Sequence, residues 1–158
     1  MKGNVTGPAC LLEDEREVVA AIPFEADWSR VRLYHGSCGG VAGWTRRLVL
    51  LASRNRAVAL GNRVFLPDRC EGDLGVLAHE LTHCAQYQAW GPGVYFARGL
   101  ITQLRDLVHR SLRVGSSPYS YRLKPGKPFQ SYGMEQQAQI VEDRYRQSAG
   151  NDHPIPSA

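Results

Sequence analysis

Two histidines four residues apart, with a glutamate directly after the first, form the most chemically specific stretch of the chain: His79-Glu80-Leu81-Thr82-His83. At 3.6 residues per turn, positions four apart share one helix face, so on a helix both imidazoles project toward one point. Two neutral imidazoles placed this way can hold one Zn²⁺, and Glu80 then reaches a water on that metal. Zinc lowers the pKa of such a water to about 7, and a neighbouring carboxylate can take its proton as hydroxide attacks a carbonyl. A pattern this short also recurs by chance on exposed helices. Its flanks argue against chance, because Leu74, Val76, Leu77, Leu81 and Ala85 lay an apolar stripe along the same helix. Unpaired His and Glu would be costly to bury there.

A catalytic zinc takes three protein ligands and keeps one position open. A further histidine six residues beyond His83 would complete one known pattern, but that position is Ala89. The remaining donors are carboxylates on later elements: Glu135, Glu142 and Asp143, with Asp106 between. Glu135 is the best placed. It falls in the first turn of the last predicted helix, beside its apolar face, and the small Ala138 three residues on lets another helix approach. Glu142 and Asp143 share a charged stretch with Arg144 and Arg146, for which a solvated ion-pair face is the default. An oxyanion formed at such a centre needs a further donor, and Tyr119, Tyr121 and Tyr132 are unranked candidates.

The elements that must position these groups follow from pattern. Asp73 can cap the histidine helix and Gly91-Pro92 can end it. Before it, residues 11–22 read as a helix with acids early, and 31–35 as a half-buried strand. A helix over 41–54 follows, with Val41, Trp44, Leu48 and Leu51 as its packing stripe and the arginines turned outward. Residues 57–66 read as two short strands around a Gly61-Asn62 turn. The second, Arg63–Leu66, is a candidate for pairing with an extended substrate by strand addition. After Gly93 a helix over 94–113 carries Ile101, Leu104, Leu107 or Val108, and Leu112 on one side. His109 lies on that helix and reads as an ordinary packed or surface residue. Residues 115–132, rich in Gly, Pro, Ser and Tyr, form a loop able to overhang the site. The last helix starts near Gly133, with Met134, Ala138, Val141 and Tyr145 inward. The fold class is α+β: a partly helical segment 1–29, one domain over 30–149, and a flexible tail 150–158 in which His153 is inert.

Composition narrows the classes further. The chain has 158 residues, 43% of them hydrophobic, enough for one real core. No apolar run approaches 18 residues, so no membrane span is expected, and the first eight residues lack a signal-peptide apolar region. The net charge of +4 is spread out and no aromatic-interleaved basic run occurs, which argues against nucleic acid. Cys10, Cys38, Cys70 and Cys84 are dispersed, which excludes a Cys-x-x-Cys zinc site and leaves disulfide pairing and compartment open. Cys84 reads as a packing residue.

Ala59-x-Gly61-Asn62-x-Val64-x-Leu66, followed by Leu77-Ala78-His79-Glu80-Leu81-Thr82-His83-x-x-Gln86, resembles the zincin-like domain with the HELTH signature. That domain occurs in cargo of extracellular contractile injection systems, in Rhs-type polymorphic toxins and at the ends of some type VI secretion VgrG spike proteins. Val31-Arg32-Leu33-Tyr34-His35 is similar to the family's lead-in. Glu135-x-x-Ala138 resembles its later Glu-x-x-Ala element, which carries the third zinc ligand. In related glutamate-liganded zincins an Asp four residues after the ligand Glu steadies a ligand His; here that place holds Gln139. The resemblance implies a zincin-like metallopeptidase core with Zn²⁺ on His79, His83 and Glu135, and with Glu80 as general base. It implies a secreted toxin effector carried by a secretion machine and acting on a protein or peptide in the target cell, the periplasm being the favoured compartment. A cognate immunity protein would accompany it. Two other readings are a non-catalytic zincin-fold module for binding or trafficking, and a peptidase that processes its own parent polypeptide.

Overall fold

The computed structural model describes residues 7–112 and 121–151. The expectations for Arg113, Tyr119, His153 and most of the tail fall outside these residues.

Strands β1 (Arg32–Tyr34), β2 (Val58–Leu60) and β3 (Arg63–Phe65) form a mixed sheet in the order β1-β3-β2. The hairpin pairs Val58 with Phe65 and Leu60 with Arg63. Its turn needs glycine twice over: Gly61 has φ +64°, and a Cβ there would meet Cζ of Tyr87 at 3.2 Å. β1 and β3 run parallel, with Leu33 opposite Val64, and such a pair requires a crossover. Helix α2 (Gly40–Ala52) supplies it. β3 is therefore the central strand, with both edges paired, and cannot add a substrate strand as its sequence suggested. Of the two edge strands, β1 pairs outward with Ala9 through Leu33, and β2 has the outward carbonyl of Ala59 already used. The Ala59 carbonyl accepts from the Tyr95 hydroxyl at 3.1 Å, and the Ala59 backbone lies close enough to the Glu80 carboxylate to lower that group's pKa.

Alternation along the strands sorts the core. Leu33 and Val64 point to one face, where they join Leu77, Leu81, Ala85 and Val141 in the main cluster. Tyr34 and Phe65 point to the other and stack at 4.4 Å beneath Leu50 of α2. A short helix α1 (Glu13–Val19), briefer than the 11–22 expected, adds Val18 to the main cluster.

α2 is rotated relative to expectation. Val41 and Trp44 are 84% and 68% exposed, Leu48 and Leu51 are exposed too, and Arg46 is buried. The reason is a carbonyl in need of a donor. Where β3 leaves the sheet, Leu66 O accepts from Arg46 Nε at 2.9 Å and Nη2 at 2.6 Å, and Nη2 continues to Asp68 Oδ1 at 2.6 Å. Turning that guanidinium inward carries the aliphatic stripe out.

α3 spans Leu74–Leu112 and breaks at Gly91, where φ 76° and ψ 163° are not helical. Gly91-Pro92 thus divides it into 74–90 and 92–112, as the sequence indicated. Asp73 caps its start by accepting from Val76 N–H at 3.0 Å. Helix α4 (Met134–Asn151) packs antiparallel on the first half. Near its start the Met134 carbonyl meets Gln86, and near its end Arg146 pairs with Asp73 at 2.9 Å. The second half of α3 departs from expectation. Ile101, Leu104, Leu107 and Val108 lie exposed, while Tyr95, Gly99, Thr102, Asp106 and His109 are the buried or half-buried positions. All four cysteines are unpaired, and Cys84 is fully buried in packing.

Candidate metal centre

His79 and His83 lie one turn apart on the face of α3 that meets α4. Glu135 enters from the first turn of α4, and the fully buried Ala138 one turn later permits the close approach. Nε2 of His79 and Nε2 of His83 each stand 3.5 Å from the same oxygen, Oε2 of Glu135. Among the described residues, this is the group of three potential ligands whose donor atoms come together, all within 4.8 Å. Ligands on a tetrahedral zinc, each about 2.0–2.1 Å from the metal, are separated by roughly 3.3 Å, so the spacing fits such an ion. The donor set of two imidazoles and a carboxylate fits it as well.

Buried amides fix the state of His83. Nε2 of Gln137 donates to the carbonyls of Tyr132 (2.9 Å) and Gln130 (3.4 Å), leaving its Oε1 to accept. That oxygen accepts from Nε2 of Gln86 at 2.9 Å, which also donates to the Met134 carbonyl at 3.0 Å. Oε1 of Gln86 is then the acceptor for Nδ1 of His83, 2.8 Å away. Nδ1 must carry the hydrogen, and in the neutral ring Nε2 presents its lone pair to the cluster. His79 is supported differently. Oε2 of Glu142 lies 3.2 Å from its Nδ1, off the line of a full hydrogen bond, and so acts as a charge partner. Gln139 Nε2 donates to that same Oε2 at 3.2 Å, and Arg146 holds the other oxygen at 2.9 Å. The missing Asp at position 139 is thus answered by Glu142, propped by Gln139. Glu142 supports His79 and does not sit on a solvated face.

The electrostatics favour positive charge on the two imidazoles. Burial works against a charged His79, yet Glu135, Glu142 and Glu80 carry its pKa up to about 10. His83 is raised for related reasons, with burial opposing and Glu135 dominating the increase. Burial also opposes ionisation of Glu135, but His83 and His79 hold its carboxyl well below the ordinary range. Glu80 is raised by burial first, with the two histidines pulling the other way.

Of the sequence candidates, His79, His83 and Glu135 converge, and Glu80 is buried beside them. Asp106 is half-buried on the second half of α3, apart from the cluster. Asp143 accepts from the Tyr121 hydroxyl and from Gln139 at 3.0 Å. The Tyr132 hydroxyl accepts from Lys124 N–H at 3.0 Å, so both described tyrosine candidates are tied to the 121–132 segment or α4. Tyr95 was not anticipated. It is buried, and Glu80 and Glu135 lie near enough to raise its pKa after burial itself and Cys84. Gln86 and Gln137 had no assigned role either. The available signal was the amide at i+3 from His83, on the ligand face of the helix.

This is a buried two-histidine, one-glutamate cluster between antiparallel helices, the first of which also packs on a small mixed sheet. Residues 16–91 match the family model of the eCIS core domain, the core of extracellular contractile injection systems. The match fits a protein associated with such a secretion machine. It takes in the sheet, α2 and the histidine helix, and ends at the Gly91 break. No curated protein and no solved structure matches the chain.

Proposed function

We propose that the chain is a zinc-dependent metallopeptidase domain, working as an effector of a contractile injection system. The observation that carries the reading is the convergence of both Nε2 atoms on one oxygen of Glu135, with the Glu80 carboxylate buried alongside. His79, His83 and Glu135 would hold the metal, and zinc held there supplies a Lewis acid that polarises a scissile carbonyl and lowers the pKa of water. Glu80 takes the proton of the attacking water and returns it to the leaving amine, a task suited to a carboxyl whose pKa burial has raised. Gln86 and Glu142 keep the two imidazoles in register. The substrate class is protein or peptide amide. Delivery as a toxin, with an immunity partner and a periplasmic target, is the finer part of the proposal.

A second reading has its own observation. The Ala59 backbone at the edge of β2 lies close enough to the Glu80 carboxylate to lower its pKa against burial, so Glu80 also has a structural task where the hairpin meets α3. On that reading zinc and Glu80 staple a non-catalytic module. Glu80→Gln separates the two. A peptidase keeps its fold and zinc stoichiometry but loses about 10²–10⁴-fold in proteolytic rate, and with it growth arrest on expression in a bacterial cell with or without an export signal. Retained zinc together with retained toxicity would overturn the peptidase. Elemental analysis finding no zinc in wild-type protein would overturn both readings.

A further inference from the structure

Helix 92–112 packs in reverse. At 100° per residue, Phe96, Leu100, Ile101, Leu104, Leu107 and Val108 fall in one arc about 140° wide. Each of the six is between 48% and 62% exposed. The side turned toward the protein carries Tyr95, Thr102, Asp106 and His109. The packing is anchored where the Tyr95 hydroxyl meets the Ala59 carbonyl and the Tyr95 ring meets Tyr87 edge-on at 5.4 Å. Arg98 and Arg105, both exposed, border the apolar arc on one side, and no acidic residue lies within it. The eCIS core match ends at residue 91, so this helix is an addition to the matched region.

Breadth and charge select the occupant. A single partner helix covers a narrow seam of two positions in seven, much less than this arc. A second copy packed antiparallel would bring the same arginines to the same border. A lipid interface accepts the whole arc at once, and arginines at its margin extend to headgroup phosphates while their stems stay on the apolar side. The helix is not long and apolar enough to cross a bilayer, so the arrangement is one of lying in the surface.

We propose that helix 92–112 is a membrane-surface element that seats its apolar arc in the interface of an anionic phospholipid bilayer. The proposal does not depend on the metal reading.

The test is cosedimentation of the full chain with phosphatidylcholine vesicles made with and without phosphatidylglycerol. Wild type is expected to sediment with the anionic vesicles, and added salt should weaken it. The double variant Leu104→Glu/Leu107→Glu, altered only at exposed positions, should retain its circular dichroism and thermal midpoint and lose at least about tenfold in vesicle affinity. Arg105→Glu should reduce the preference for anionic over neutral vesicles. Wild-type protein that stays in the supernatant would overturn the proposal, as would a double variant that binds as well as wild type. Concentration-dependent dimers in analytical ultracentrifugation, abolished by the same leucine substitutions, would overturn it by assigning the arc to a second copy.

Discussion

The buried amide pair behind His83 shows how much of the proposed metal site would be decided one residue away from its ligands. Gln86 can orient only one way, because Gln137 and the Met134 carbonyl take its donors. Gln86→Leu removes the acceptor for His83 Nδ1 and also strands the Gln137 oxygen. Glu142→Gln removes the charge behind His79. Each should weaken zinc binding by about 10–100-fold, the usual cost of losing an outer partner. Asp143→Asn, whose contacts are Tyr121 and Gln139, should stay near wild type. Competition with a chromophoric chelator measures all three, and imidazole ¹⁵N shifts report the His83 tautomer without metal. Wild-type affinity in both Gln86→Leu and Glu142→Gln would refute the supporting roles.

α2 illustrates an element whose orientation is set by hydrogen bonding against its own apolar pattern. Arg46→Met keeps length and apolar stem but leaves the Leu66 carbonyl without its donor. The expected loss is about 1–3 kcal/mol, read as a lower urea midpoint at unchanged m-value. The ion pair with Asp68 adds little to this, because that carboxylate is 83% exposed. Trp44→Gln on the outer face should move stability by less than about 0.5 kcal/mol. A larger effect at Trp44 than at Arg46 would mean that the stripe faces inward after all.

At the scale of the whole molecule, two helices are held together by the charges of the buried histidine–glutamate cluster, the proposed cation site. In the metal-free protein His79 has its pKa raised from 6.5 to about 10. Its contribution to stability is therefore fully present below about pH 6.5 and is lost as pH rises through about 10. Glu135, depressed, contributes above the ordinary carboxylate value of 4.5 and loses that contribution as pH falls through its folded pKa. Chelator-treated protein should thus lose melting temperature between about pH 6.5 and pH 10, and the zinc-loaded protein should lose less. Zinc uptake near neutral pH should release protons, measurable by calorimetry in buffers of different ionisation heat. A metal-free melting temperature that climbs across this range would contradict the charge arrangement.

Local spacing carried most of the centre. His79, Glu80 and His83 needed only the helical period, and Glu135 with Ala138 needed only the demand that an inward carboxylate meet a close helix. Asp73, Gly61-Asn62 and Gly91-Pro92 marked boundaries because capping and positive φ are properties of single residues and their neighbours. The order of strands was not local in this sense. β3 became central because a crossover brought β1 back beside it, and that removed it as a substrate-pairing edge. Gln86 gained its role from Gln137 across the α3–α4 interface, a pairing that no helical period specifies. Glu142, two turns beyond Glu135 on the same face of α4, was hidden by its charged neighbours. The apolar faces of α2 and of 92–112 show the same limit from the other side. Periodicity identifies a stripe, but which way it turns depends on competing partners: a carbonyl at Leu66 that claims Arg46, and the Ala59 edge that claims Tyr95.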